Sequence, residues 1–167
     1  MADRMAPLWL LAPLRRARDH MDRHYREDLD LEQLARVAGV SKYHFVRSFA
    51  ATYGETPIRY LTRRRIERAQ DLLRHANLSV TEVCMAVGFT SLGSFSTRFS
   101  ALVGMGPIRY LTIWRLRTAR QQLRETRRTI AQIAHAAGYE SDEAFSRAFK
   151  REFGLSPARW RDQQREG

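Results

Sequence analysis

The sequence predicts an all-α fold of three tandem helix-turn-helix units joined by long connecting helices, and three observations predict it. Apolar residues recur at helical spacing, with no run of strand-like alternation. Capping side chains and glycines bracket the segments. One pattern also returns at a fixed offset, the mark of stacked units. The middle copy, Ser79 to Pro107, shows these features most clearly. Ser79 is a good N-cap, and Val80, Val83, Cys84 and Val87 then fall at i, i+3, i+4 and i+7 until Gly88 ends the helix. A second helix starting at Thr90 or Ser91 buries Phe95 and Phe99 and stops at Gly104, ahead of Pro107. Thr129, Ile130, Ile133, Ala134, Gly138, Ser141, Phe145, Phe149, Gly154 and Pro157 repeat the pattern 50 residues later. Leu31, Leu34, Ala35 and Gly39 precede it by 49 residues, and Phe45, Phe49, Gly54 and Pro57 by 50. The expected segments are 1–56, 57–106 and 107–167, in an elongated molecule.

In chain order, residues 1–9 are a tail whose Trp9 is expected to cover the first core. The stripe Leu10, Leu14, Ala17, Met21 and Tyr25 marks an opening helix, with Arg15, Arg16, Arg18 and Arg23 mostly off it. His20 and His24 stand at i, i+4, but no third ligand lies nearby in sequence, so they read as surface histidines rather than a metal site. Asp30 caps the next helix, which turns Leu31, Leu34, Ala35 and Ala38 inward. Gly39 and Val40 make the turn into a helix capped by Ser41. With Phe45, Ser48, Phe49 and Tyr53 facing the core, helical phase leaves Lys42, Tyr43, Val46 and Arg47 exposed.

A connecting helix opens at Pro57, where the missing N–H is harmless, and runs to about Arg74. It is expected to bury Ile58, Leu61, Ile66, Ala69, Leu72 and Leu73, with Arg59, Arg63, Arg64 and Arg68 elsewhere. The middle unit exposes Leu92, Gly93, Ser96 and Thr97. A second connector opens at Pro107 with the same Pro-Ile-Arg-Tyr-Leu-Thr run, and the third unit exposes Asp142, Glu143, Ser146 and Arg147. Residues 157–167 read as a frayed polar helix, with Arg159 and Arg161 mostly solvated.

A net charge of +11 and a pI of about 10.9 favour a polyanionic partner. All of the 29 basic residues except Lys42 and Lys150 are arginines, which suit bidentate contacts to phosphate and guanine. No acidic residue lies between Glu82 and Glu125, whereas Arg98, Arg109, Arg115, Arg117 and Arg120 do, so phosphate contact is preferred there over a merely solvated basic surface. Cys84 is the only cysteine, which leaves no disulfide or thiolate cluster, and its apolar neighbours make it a packing residue. The run MAPLWLLAPL is too short to span a bilayer and lacks a basic leader, so no membrane association and a cytoplasmic location are expected. No Ser-His-acid order, paired carboxylates, Gly-rich phosphate loop or metal-ligand spacing supports an enzyme. No cofactor is expected.

The stretch AGVSKYHFVRSFAATYGETPIRYLTRRRIERAQDLL, followed by SVTEVCMAVGFTSLGSFSTRFSALVGMGP, resembles the DNA-binding domain of AraC/XylS-family bacterial transcription regulators over about residues 11–110. The resemblance implies two helix-turn-helix units joined by one long helix, double-stranded DNA as partner, and the second helix of each unit as its reader. Residues 107–160 look like the family's linker helix and second unit over again, a departure from that plan.

On this reading the base-contacting candidates are Lys42, Tyr43, Val46 and Arg47; Leu92, Gly93, Ser96 and Thr97; and Asp142, Glu143, Ser146 and Arg147. The phosphate-contacting candidates are Ser41, Ser91, Ser141, Arg63, Arg64 and Arg98. The resemblance places a base-reading arginine at Arg47, and a bidentate Arg–guanine pair discriminates by about 1–3 kcal/mol. Tyr43 either meets a base or sugar or packs on the turn. Thr97 stands where the other copies carry Arg47 and Arg147, so a thymine methyl or a shape contact replaces guanine reading there. The acids of the third unit either accept from cytosine or repel phosphates. The connector arginines divide between phosphate contact and no role.

A sequence-specific bacterial transcription regulator, nucleoid-associated and with no ligand-sensing domain or small-molecule effector, is the expectation. Activation would need contact with RNA polymerase. The alternatives are a weakly specific architectural DNA binder, a rearranged concatenation with only two working units, and a protein-interaction module, which leaves the charge unexplained.

Overall fold

The computed structural model describes residues 6–166, so residues 1–5 of the expected tail and Gly167 lie outside it. Among the described residues there are helices and no strand: α1 Leu8–His24, α2 Leu31–Ala38, α3 Lys42–Tyr53, α4 Pro57–His75, α5 Val80–Ala86, α6 Leu92–Val103, α7 Pro107–Glu125, α8 Ile130–Ala136, α9 Asp142–Phe153 and α10 Pro157–Glu166. The pairs α2–α3, α5–α6 and α8–α9 fall where the sequence predicts helix-turn-helix units, and α4 and α7 between them are helices of 19 residues each.

Local chemistry sets these boundaries. Asp30 with Gln33, Ser79 with Glu82, and Thr129 with Gln132 each form a reciprocal capping box at the start of the first helix of a pair. Bonds from Ser79 lower the pKa of the Glu82 carboxyl. Ser41, Ser91 and Ser141 cap the second helices, which all end at a left-handed glycine: Gly54, Gly104 and Gly154. Inside each second helix two phenylalanines one turn apart are buried with ring centroids 5.6 Å apart, as Phe45–Phe49, Phe95–Phe99 and Phe145–Phe149.

The chain divides into two compact units at Gly106/Pro107. The expected boundary at 56/57 falls inside the first of them, between α3 and α4. In the first unit α1 packs on α2, α3 and α4, and α4 packs on α3, α5 and α6. Leu10, Leu14, Ala17 and Met21 of α1 are fully buried, as are Ile66, Ala69 and Leu73 of α4 or nearly so.

Arg65 of α4 reaches the loop between α1 and α2, where its Nε donates to the Tyr25 carbonyl at 2.6 Å and its Nη2 to the Glu27 carbonyl at 2.7 Å. Its guanidinium also lies 5.8 Å from the ring centroid of Phe89 in the second turn. Beside Phe89, Gly88 has φ +93, and a Cβ there would sit 2.8 Å from the Arg26 carbonyl oxygen. Loop and turn are therefore in backbone contact.

A chain of polar contacts ties α1 and the α3–α4 loop to α4. Asp22 accepts from the Tyr60 hydroxyl and from Arg64 Nε, both at 2.8 Å. Arg64 and Arg63 both bond Glu67, and Arg63 also bonds Glu55 at 2.7 Å.

In the second unit α7 packs on α8, α9 and α10. Leu116, Ala119, Leu123, Ile133, Ala134, Ala137, Phe145, Ala148 and Phe149 form its buried core, with Trp160 of α10 set against it.

Four expectations are corrected. Trp9 is the second residue of α1 and 64% exposed; its ring stacks loosely on His44, 6.2 Å away, while Leu10 fills the core. Ile58 is 44% exposed, because Pro57 and Tyr60 take the inward positions of the first turn of α4. Leu72 is only half-buried. The last segment is anchored rather than frayed: Trp160 lies 6.4 Å from the rings of both Phe149 and Phe153, and Arg161 Nε donates to the Leu123 carbonyl at 3.3 Å.

Gly88→Ala must adopt a left-handed backbone and push aside a backbone carbonyl, so its expected cost in chemical denaturation is at least about 2 kcal/mol. Gly104→Ala meets open space and is expected to cost about 1 kcal/mol, from backbone strain alone.

Tyr60 gives a pH dependence. Burial first, and then the bond to Asp22, push its hydroxyl from 10.0 up to about 12. The folded state holds this proton more tightly than the unfolded chain does. The resulting stabilisation is present below pH 10 and disappears as the pH rises to about 12. Denaturation midpoints across that window are expected to fall more steeply for the native chain than for Tyr60→Phe.

Candidate nucleic-acid interface

The second helix of each pair presents its first two turns with a serine at the tip. Ser41 Oγ accepts from the His44 amide at 3.3 Å, Ser91 Oγ from Ser94 at 3.1 Å, and Ser141 Oγ from Ala144 at 3.1 Å. Each hydroxyl acts as acceptor in its cap, so its own proton remains available to an anion. The exposed helix N-terminus adds a positive partial charge.

Behind these caps the three faces differ in sign. In α3, Lys42, Tyr43 and Arg47 are exposed and Val46 is half-buried. Lys42 Nζ is 2.9 Å from Glu32 Oε1 on α2, an exposed ion pair that competes with its use as a base donor. Tyr43 is 71% exposed and does not pack on the turn; its hydroxyl accepts from Arg47 Nη1 at 3.1 Å. In α6, Leu92, Gly93 and Thr97 are exposed and Ser96 is half-buried, a small and uncharged set. Arg98 follows, exposed and without an ion pair among the described residues. In α9, Asp142, Glu143 and Arg147 are exposed and Ser146 is half-buried. Asp142 and Glu143 suit the dipole of α9 itself but oppose an anion at that tip.

Of the phosphate-contacting candidates, Arg63 and Arg64 have acidic partners within the first unit. Both are bound in the Asp22–Glu55–Glu67 network, and their pKa values are raised by it. Part of the basic stretch between Glu82 and Glu125 is likewise absorbed by packing. Arg120 lies over the rings of Phe153 and Trp160, at 4.7 and 5.4 Å, and Arg115 is the neighbour that a Cβ at Gly138 would meet.

Sequence reasoning gave less weight to Arg59, Arg109 and Arg159. They recur at the third position of α4, α7 and α10, are exposed, and have no ion pair among the described residues. Their constant offset was the available signal. The Tyr43–Arg47 bond was missed as well, although i, i+4 spacing permits it.

Cys84 is buried, and burial pushes its thiol pKa up, which disfavours thiolate chemistry. The rings of His20 and His24 stack at 4.3 Å, and His24 Nδ1 lies 2.8 Å from Glu27 Oε1. Among the described residues no group of three or more His, Cys, Asp or Glu is placed to hold a metal ion. No helix among them is long and apolar enough to cross a membrane.

A family model described as a helix-turn-helix domain matches the chain twice, over residues 34–112 and 91–163. The two matches overlap on α6 and the start of α7. The MmsAB operon regulatory protein of Pseudomonas aeruginosa is 36% identical over 99 residues, 55% of this chain and 32% of that protein. The HTH-type transcriptional activator RhaS of Enterobacter is 36% identical over 77 residues, 46% of this chain and 28% of that protein. The chain thus spans about a third of the length of these curated relatives. Among solved structures, the DNA-binding domain of AdpA, a global transcriptional factor, in complex with a target DNA is similar with a TM-score of 0.61 and 32% identity. That similarity covers 63% of this chain and 95% of that one.

Proposed function

The chain belongs to the AraC-type helix-turn-helix family of transcription regulators, and from that premise we propose that it is a sequence-specific double-stranded DNA-binding regulator whose α3 and α6 enter successive major-groove segments. One observation carries this reading. Arg47, at the base-contacting position of α3, is exposed with donors to spare, while Arg63 and Arg64 of α4 are occupied internally. The 19 residues of α4 span ~28 Å, and with the width of the helix pairs this suits two readers about one DNA turn, ~34 Å, apart.

Arg47 reads a guanine, and α6, which has no bidentate donor among Leu92, Gly93, Ser96 and Thr97, reads a thymine methyl or groove shape. Arg59, Arg98, Arg109 and the cap hydroxyls supply phosphate contacts and most of the affinity. Asp142 and Glu143 favour a second reading of the third pair, in which α9 stays off the duplex. If the regulator activates, RNA polymerase is its further partner.

Selection from a random duplex library at near-physiological salt, followed by footprinting of the whole chain, tests this. The expected result is an enriched site covering two successive major-groove segments, with no small molecule added. Salt-sensitive binding without an enriched motif would replace this reading by that of an architectural DNA binder.

On the enriched site, Arg47→Ala is expected to remove about 1–3 kcal/mol of discrimination at one base pair. Arg98→Ala should weaken binding to all sequences alike and reduce the salt slope by about 1, whereas Arg63→Ala should leave that slope unchanged.

A further inference from the structure

We propose that Tyr43 is a positioning residue for Arg47, holding its guanidinium ready before DNA arrives and making α3 a sharper base discriminator than α6. This rests on the reading of α3 as a DNA reader. The Tyr43 hydroxyl accepts from Arg47 Nη1 at 3.1 Å, and the guanidinium carbon lies 5.4 Å from the centre of the tyrosine ring. The side chain is thus held by one hydrogen bond and by a cation–π contact to the same residue, one helical turn back. Tyr43 is 71% exposed, so the core does not require its ring. Arg47 is its only hydrogen-bond partner among the described residues.

The bond uses one N–H of Nη1. The edge formed by Nε and Nη2 stays free, and its two parallel N–H groups match the O6 and N7 acceptors of guanine. An exposed arginine on a flexible stem must otherwise be ordered at the moment of binding, which weakens binding. A guanidinium ordered beforehand avoids that loss, and the benefit is confined to the base that accepts both N–H groups.

The other copies provide internal contrasts. At the positions of Tyr43 and Arg47, α6 has Gly93 and Thr97, so it has neither the cation nor the holder. In the same places α9 has Glu143 and Arg147, between which no ion pair forms among the described residues despite the i, i+4 spacing. One arginine is held, one is absent and one is left unheld.

The test measures dissociation constants of the whole chain for its selected duplex and for the same duplex with the Arg47-dependent guanine replaced, using the native chain, Tyr43→Phe, Arg47→Ala and the double variant. Phenylalanine keeps the ring and removes the acceptor, and an unchanged thermal midpoint shows that the fold is intact. Tyr43→Phe is expected to lower the preference for guanine about three- to ten-fold, the net worth of one typical hydrogen bond. It should leave binding to the replaced duplex within about two-fold, and on the Arg47→Ala background it should have no effect on either duplex.

An equal loss on both duplexes, or a loss that persists without Arg47, would make Tyr43 a DNA contact in its own right and overturn the proposal. A selected site indifferent to Arg47→Ala would also overturn it. No selected site at all for the native chain would instead overturn the functional reading beneath it.

Discussion

The carbonyls of Tyr25 and Glu27 receive the guanidinium of Arg65, and the first unit is arranged around that meeting. The carbonyls belong to the loop after α1, the cation to α4, and the Phe89 ring beside it to the turn between α5 and α6. Three segments distant in sequence are tied at one point. Charge-assisted hydrogen bonds of this kind are about twice as strong as neutral ones. Gly88 completes the arrangement by lacking the atom that would collide with the Arg26 carbonyl. The cation draws the loop to the turn, and the glycine leaves room for it.

The ion network along α4 changes the meaning of the net charge of +11. Arg63 and Arg64 answer to Asp22, Glu55 and Glu67, and Arg120 is spread over two aromatic rings. These cations hold helices together. Among the exposed positive groups, Arg59, Arg109 and Arg159 recur by position, whereas Arg98 belongs to the second copy alone. Across the three copies the caps, the paired phenylalanines and the terminal glycine keep their places, while the exposed residues pass from cationic in α3 to neutral in α6 and mixed in α9. Inward positions are bound by packing, which tolerates little change of shape, and outward ones are not.

Most of the fold was legible because its signals are local. Asp30, Ser41, Ser79, Ser91 and Gly104 act through bonds to residues three or four positions away, so their effects can be read from spacing alone. The candidate site was legible to the same depth, since helical phase decides which of Lys42, Val46 and Arg47 reach the surface. The rest depended on long-range partners. Nothing in the sequence near Arg63 or Arg64 names Asp22 as the acceptor, nor near Arg65 the carbonyls of Tyr25 and Glu27. Trp9 was misjudged for a related reason: it sits near a chain end, where the pattern has no second period to fix its phase. Ile58 failed because the first turn after a buried proline faces its neighbours at an angle that the later stripe of α4 does not reveal.

The seating of Trp160 among Phe149, Phe153 and Arg120 also gives the protein an optical property. Of its three indoles, Trp114 and Trp160 belong to the second unit and are half-buried, whereas Trp9 stands in water beside His44, at the foot of α3. Loss of order in the second unit therefore shifts the emission of two chromophores to the red. The first unit contributes only an indole whose light is already that of a hydrated ring. Whatever settles on α3 changes the surroundings of that one indole.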